Sequence, residues 1–495
     1  MNIFEIIYPL SIVLLAVYGY HALILAWYRL RRHKPISQIE VEAGYAWPKV
    51  TVQLPVYNER YVVKRLIEAV CQLEYPRQCL HIQVLDDSTD NTQEIVARAV
   101  TAQRAKGQDI EQVRRPERTG YKGGALEHGL KTAKGEFIAV FDADFLPPPD
   151  FLLRTLPYFA EDSRIGCVQT RWGHLNRESS WLTRAQASGV DGHFTIEQEV
   201  RSETPLFLNF NGTAGVWRRA CIEDASGWQH DTLTEDLDLS YRAQLRGWRI
   251  RYLPHVIAPA ELPVHINALK RQQFRWAKGS IQTARKLLGT LWRAPIPWRV
   301  KIGGTIHLTN YLVHPLMLLN LLLTLPILYT HSPLVWLVPG FTMAALGPLL
   351  MYWLTLREQG KGIGERVANL FMLVILGMGI SLNNTRAVLE ALLGIESPFK
   401  RTPKFNLRGQ EKAGRGADYL LPRDPTLWLE AALALYAFSL LIFVLVNGIW
   451  GLTLWLLLYA VGYGYVTYLN FQQFGRVRRK DKQQPEIDSG GLLKG

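Results

Sequence analysis

Two kinds of apolar patterning divide this chain. Apolar positions run almost unbroken from Ile6 to Trp27, about 20 residues, enough to cross a bilayer as a helix. Similar runs return late in the chain, over Ile306–Leu328, Leu334–Leu356, Leu427–Val446 and Ile449–Leu469. From Trp47 to about Leu253 the long apolar runs vanish, and stretches of period two alternate with stretches of helical spacing. Val50–Leu54, His81–Leu85 and Phe137–Phe141 read as strands; Val62–Leu73, Thr92–Lys106 and Gly124–Lys134 read as helices. Strand alternating with helix predicts a mainly parallel, doubly wound α/β sheet.

Charge orients the apolar runs. Arg29, Arg31, Arg32 and Lys34 follow the first run, and Met-Asn-Ile-Phe-Glu precedes it, so it reads as an anchor with its C-terminal end in the cytosol rather than as a cleaved signal. A further run, Val367–Ser381, is apolar for only about 15 residues, short for a span. The stretch Arg386–Arg423 carries eight Lys or Arg and reads as cytosolic, as does the tail Arg476–Lys480. Both hold only if Val367–Ser381 lies at the interface or re-enters. The expected topology is therefore five crossings, N-terminus outside and C-terminus inside. The expected domains are an anchor (1–34), a cytosolic domain (35–300) ending in an interfacial helix (262–290), a transmembrane domain (301–475) and a basic tail (476–495). An interfacial helix (365–393) and a cytosolic loop (394–424) lie within the transmembrane domain.

Composition changes this picture little. A net charge of +13 invites a nucleic-acid partner, but the basic residues gather beside apolar runs, where anionic headgroups lie, and no nucleic-acid motif is present. The four cysteines form no CxxC pair or zinc spacing, which fits reduced thiols in a cytosolic domain.

In a doubly wound sheet, ligands bind beyond the carboxyl ends of the strands. Those ends here carry Tyr57-Asn58-Glu59, Asp86-Asp87-Ser88 and Asp142-Ala143-Asp144. No GxGxxG follows the first strand, which argues against a dehydrogenase. Asp142 and Asp144 are two residues apart and point the same way on an extended segment. They can hold Mg2+ or Mn2+ against a diphosphate, or form a solvated acidic turn before Pro147-Pro148-Pro149. Thr234-Glu235-Asp236 offers a carboxylate base for an attacking hydroxyl, while Thr232-x-x-Glu235 also reads as a capping box for a helix over Leu237–Arg246. Gln272-Gln-Phe-Arg275-Trp276 lies in a basic, aromatic helix over Ala268–Leu288. Its Arg can clamp a diphosphate and its Trp can face a sugar, or the helix is simply amphipathic and interfacial.

Taken in order, Asp86-Asp87, Asp142-x-Asp144, Thr234-Glu235-Asp236 and Gln272-x-x-Arg275-Trp276 resemble the D, DxD, TED and QxxRW series of processive family-two glycosyltransferases. Longer strings, among them Val52–Glu59, Gln83–Asp90, Gly120–Leu126, Phe141–Phe145 and Phe210–Arg218, resemble the plant cellulose-synthase-like A mannan synthases and the related C group of glucan synthases. Phe399–Lys404 is similar to the family's gating segment, which passes over the donor site. The resemblance implies a GT-A fold and an inverting, single-displacement transfer from GDP-mannose or UDP-glucose. It implies that Asp86 and Asp87 meet base and ribose, that Tyr57 lies beside the base with Glu59 nearby, and that Lys122 sits near the phosphates. Asp144 takes the metal with Asp142 in support, Asp236 is the base with Glu235 beside it, Arg275 meets the diphosphate, and Gln272 and Trp276 meet substrate, Trp276 at the acceptor sugar. The expected product is a β-linked hexose polymer made at the plasma membrane. A single-sugar lipid glycosyltransferase, with a glycolipid product, shares most of the series, and an inactive membrane scaffold is disfavoured because every motif position is filled.

Overall fold

The computed structural model describes residues 3–32, 39, 44–330, 338–398, 401–411 and 424–481. Phe399 and Lys400, the start of the Leu334–Leu356 run and the chain beyond Asp481 lie outside the described residues.

The soluble part is built on seven strands: β1 (Val50–Val56), β2 (Leu80–Asp86), β3 (Ile110–Val113), β4 (Phe137–Val140), β5 (Ile165–His174), β6 (Gly215–Arg218) and β7 (Arg249–Ala260). Their order is β3-β2-β1-β4-β6-β5-β7. All pairs are parallel except those of β6, which is antiparallel to both β4 and β5. β1, β2 and β4 fall where their apolar patterns predict. Val50, Val52, Leu54 and Val56 pack into one core layer, and the alternating Thr51 and Gln53 are buried as well. Polar groups buried on a strand need partners: Gln53 Nε2 donates to Gln83 Oε1 at 3.0 Å, and Gly135 N donates to Thr51 Oγ1 at 2.8 Å.

β3, β5, β6 and β7 are not visible in the apolar pattern. β7 contains Pro254 and Pro259, which an edge strand tolerates because one side of its backbone needs no ladder partner. Its register against β5 shifts between Thr170 and Arg171, which pair with Leu253 and Ile257.

Among the described residues, four segments, Ile3–Arg31, Asn310–Tyr329, Leu427–Val446 and Trp450–Gln473, are long and apolar enough to cross a membrane. The helix Val338–Glu358 has an apolar sequence and approaches the first helix closely at Gly347 and Gly19. Val367–Ser381 belongs to two helices, Ile363–Gly379 and Ser381–Leu392, bent by 46° at Ile380. The predicted Ala268–Leu288 helix runs over Ile266–Arg293. It docks on Ser381–Leu392 through Ile281, Val388 and Ala391, and Lys278 Nζ reaches Glu390 at 3.0 Å.

Candidate active site

Of the site residues that the resemblance implies, all but Asp86 border one cleft, whose empty space is about 1330 Å³ including its open mouth. It lies where Tyr57, Asp87, Asp142, His174 and Glu261 follow or close strands β1, β2, β4, β5 and β7, and where Asn211 and Gly212 precede the antiparallel β6.

Asp86 and Asp87 show why a neighbouring pair on a strand end cannot serve one site equally. Successive side chains point to opposite faces. Asp86 turns inward, accepting from Ser88 N at 2.9 Å and Gln112 Nε2 at 2.7 Å. Asp87 borders the cleft and is held by Arg115, whose Nε and Nη2 reach its two oxygens at 2.8 and 2.6 Å. Across from it, the Arg118 guanidinium covers the ring of Tyr57 at 3.4 Å from the centroid.

The cleft centre is a compact charge cluster. Lys122 Nζ lies 2.5 Å from Asp142 Oδ1 and 3.8 Å from Glu235 Oε1, and donates to Gly212 O at 2.8 Å. Burial works against the Lys122 charge, but Asp142 and Glu235 outweigh it and raise the pKa. Asp236 sits in the first turn of the helix Glu235–Leu245. Burial first, then the neighbouring Glu235, pushes its carboxyl up to about 7, against the pull of Lys122. Gly212 has φ +83, and a Cβ there would stand 2.9 Å from Asp236 Oδ2, so only glycine lets this loop lie against the carboxylate. Arg275 faces the same cluster: burial lowers its pKa, and Glu235, Asp142, Asp236 and Asp144 oppose that.

The capping box expected at Thr232 and Glu235 is not formed. The helix begins at Glu235 with Thr234 as its N-cap, and no side chain bonds the cap. Thr232 Oγ1 instead donates to Thr234 O at 3.3 Å, and Glu235 turns to Lys122. The reason is local charge, since the half-buried ammonium of Lys122 offers Glu235 a stronger partner than a backbone N–H. Gly279 of the Ile266–Arg293 helix abuts the Thr234 side chain, where a Cβ would stand 2.6 Å from Oγ1. That close approach brings Gln272, Arg275 and Trp276 beside the acidic cluster.

Arg401, Thr402 and Lys404 also border the cleft. Lys404 Nζ lies 2.6 Å from Asp144 Oδ2, and Arg401 Nη1 lies 3.0 Å from Glu59 Oε2. Burial pushes Glu59 up to about 8, with Arg401 pulling it down and Asp144 adding to the rise. Glu261 fixes the backbone just after them, accepting from Phe405 N at 2.7 Å and Leu407 N at 3.0 Å. Sequence reasoning missed Arg118, His174, Glu261 and the contacts of Arg401 and Lys404. Only Arg401 and Lys404 carried a signal, as part of the Phe399–Lys404 string.

Asp142 and Asp144, the pair the sequence offers to a cation, each meet an ammonium group, Lys122 and Lys404 respectively. Among the described residues no group of three or more His, Cys, Asp or Glu forms a metal cage. Two carboxylates fit a cation that takes its other ligands from diphosphate and water.

A family model described as Glycosyltransferase like family 2 matches residues 48–279. The chain is 35% identical to glucomannan 4-beta-mannosyltransferase 1 of Oryza sativa subsp. japonica, covering 78% of this chain and 76% of that protein. It is 36% identical to glucomannan 4-beta-mannosyltransferase 2 of Arabidopsis thaliana, over 77% and 73% of the two chains. With probable glucomannan 4-beta-mannosyltransferase 7 of Oryza sativa subsp. japonica the identity is 44%, but the match spans only 44% of that protein's length. In fold, a mannosyltransferase from Pyrobaculum calidifontis, solved in complex with GDP-Man and Mn2+, superposes with a TM-score of 0.51 at 20% identity, over 78% of this chain and 99% of that one.

Proposed function

Because the chain belongs to glycosyltransferase family 2, together with the plant glucomannan 4-beta-mannosyltransferases, we propose that it transfers mannose from GDP-mannose to the end of a growing β-linked polysaccharide. The observation that carries this reading is the half-buried acid Asp236, raised to about 7, in one cleft with Lys122, Asp142, Asp144 and Arg275. A base whose pKa lies near the working pH is suited to take a proton from an attacking hydroxyl.

Asp236 deprotonates the acceptor hydroxyl as that oxygen attacks the anomeric carbon and the bond to the nucleoside diphosphate breaks with inversion. Asp144, with Asp142 in support, would hold Mg2+ or Mn2+, which supplies positive charge to the departing diphosphate. Arg275 and Lys122 add fixed positive charge on the same side, in a cleft where burial strengthens it. The nucleobase lies beside Tyr57 and Arg118, with Asp87 at the ribose. Trp276 offers its face to a sugar. Lys404 Nζ lies 2.6 Å from Asp144 Oδ2, so a cation held at Asp144 would share that carboxylate with the ammonium or displace it. The apolar helices set the domain at a membrane surface, with the cleft in the cytosol and the bent pair Ile363–Leu392 at the interface.

The test is radiolabel incorporation from GDP-mannose and UDP-glucose by purified protein with Mg2+ or Mn2+. Label from GDP-mannose in ethanol-insoluble, mannanase-sensitive material is the expected result. Incorporation from UDP-glucose alone would change the donor, and label moving entirely into chloroform would replace the polymer reading with a lipid glycosyltransferase.

A further inference from the structure

One lobe of the cleft has no part in the chemistry above. It is the end of β5, where His174 borders the cavity. His174 Nε2 lies 2.9 Å from Asp191 Oδ1. Asp191 is buried, and it also accepts from Arg177 Nη1 at 2.7 Å and Gln359 Nε2 at 2.8 Å, with Arg171 Nη2 at 3.5 Å. Burial alone would favour its protonated form, but His174, Arg177 and Arg171 reverse that and hold its carboxyl well below the usual range. Asp191 is therefore an ionised acceptor, and in the neutral imidazole the hydrogen resides on Nε2. The Nδ1 lone pair is left over. Among the described residues it has no hydrogen-bond partner, it is not one of the fully buried unpaired atoms, and it belongs to a side chain, 6% exposed, of a residue that borders the cleft.

Sheet order says which substrate meets it. Tyr57 and Asp87 follow β1 and β2, on one side of β4. His174 ends β5, on the other side, beyond the Asp142–Asp144 turn and the Gly212 loop that touches Asp236. In a single displacement the nucleophile enters opposite the leaving group, so the β5 side is the acceptor side. We propose that His174 determines acceptor specificity: its Nδ1 accepts a hydrogen bond from a hydroxyl of the acceptor's terminal sugar, and Asp191 is the positioning residue that holds the ring for it. This rests on the transferase reading above.

Two substitutions separate the two nitrogens. His174→Asn keeps an amide near the position of Nδ1 and loses the bond to Asp191. His174→Gln keeps an amide near Nε2 and loses the Nδ1 acceptor. His174→Phe loses both. The assay uses the full chain in detergent with GDP-mannose, with and without β-1,4-mannotetraose, following GDP release and chain extension. The expected result is an acceptor KM raised about tenfold in the Gln and Phe variants and about threefold or less in the Asn variant. The donor KM and acceptor-free GDP release stay at parental values in all three. Rescue by Gln and not by Asn would make His174 a structural residue and overturn the proposal, as would an unchanged acceptor KM throughout. If the Phe variant fails to fold, the Asn and Gln pair still decides. A parent protein that releases no nucleoside diphosphate from any sugar donor would instead sink the transferase reading.

Discussion

Two lysines in this chain are enclosed by acids to opposite ends. Lys270, 1% exposed, lies at the start of the Ile266–Arg293 helix and bonds Glu430, Asp424 and Thr426, with Asn470 Nδ2 reaching the second Glu430 oxygen at 3.1 Å. Each side chain in that group is bound to another, and together they tie three helices. Lys122 sits in the cleft among more acid than it can neutralise: Asp142 at 2.5 Å, Glu235 at 3.8 Å, and Asp236, whose carboxyl is raised toward neutrality. The first cluster pairs its lysine with two acids and holds helices together. The second is left incomplete, with charge and room for a ligand, and that incompleteness marks a reactive site rather than a structural one.

Substitutions in the two clusters should therefore fail in different ways. The largest effect expected is from Asp236→Asn, which should lower kcat by roughly 10³-fold while GDP-mannose binding and thermal stability persist. Near-normal turnover would remove Asp236 from its role. Lys270→Met should do the reverse. It leaves Asp424 and Glu430 facing one another without a cation, costs roughly 3–5 kcal/mol of stability in a thermal melt, and leaves the donor KM of the surviving folded protein unchanged. Asp144→Asn should weaken the divalent-metal dependence of donor binding by about tenfold or more, read from a metal titration of GDP-mannose binding. An unchanged titration would take the metal away from Asp144.

The smallest effect follows from pH. Asp236 is raised to about 7, so it is protonated and inactive as a base below that value and ionised above it. The transfer rate should climb roughly tenfold between pH 6 and pH 8 and then level off. A rate falling across that interval would mean that a protonated group limits the reaction.

The place of the cleft was legible in the sequence from the polar residues that follow β1, β2 and β4. Asp142 and Asp144 border one cleft, although they lie in a turn after β4, where Phe145 N donates to Asp142 O at 3.0 Å, and not on the extended segment that the spacing suggested. The strands β1, β2 and β4 are apolar enough to declare themselves, and the long apolar runs marked the helices of the membrane part. Local pattern misled where a residue had a better partner far away in sequence. Thr232 and Glu235 have capping-box spacing, yet Glu235 turns to Lys122. Asp86 and Asp87 look equivalent, yet strand alternation sends one inward. Tertiary structure alone decided the paths of β5 and β7, whose Arg, His and Pro residues obscure any strand period. It also decided that Lys404 reaches Asp144, that Lys270 reaches Glu430, and that His174 borders the cleft with Asp191 bonded to its ring. The reason is common to all of them. Periodicity and motif spacing record which face a residue takes on its own element, whereas burial, pKa and hydrogen-bond partners are set by side chains that only folding brings within a few ångströms.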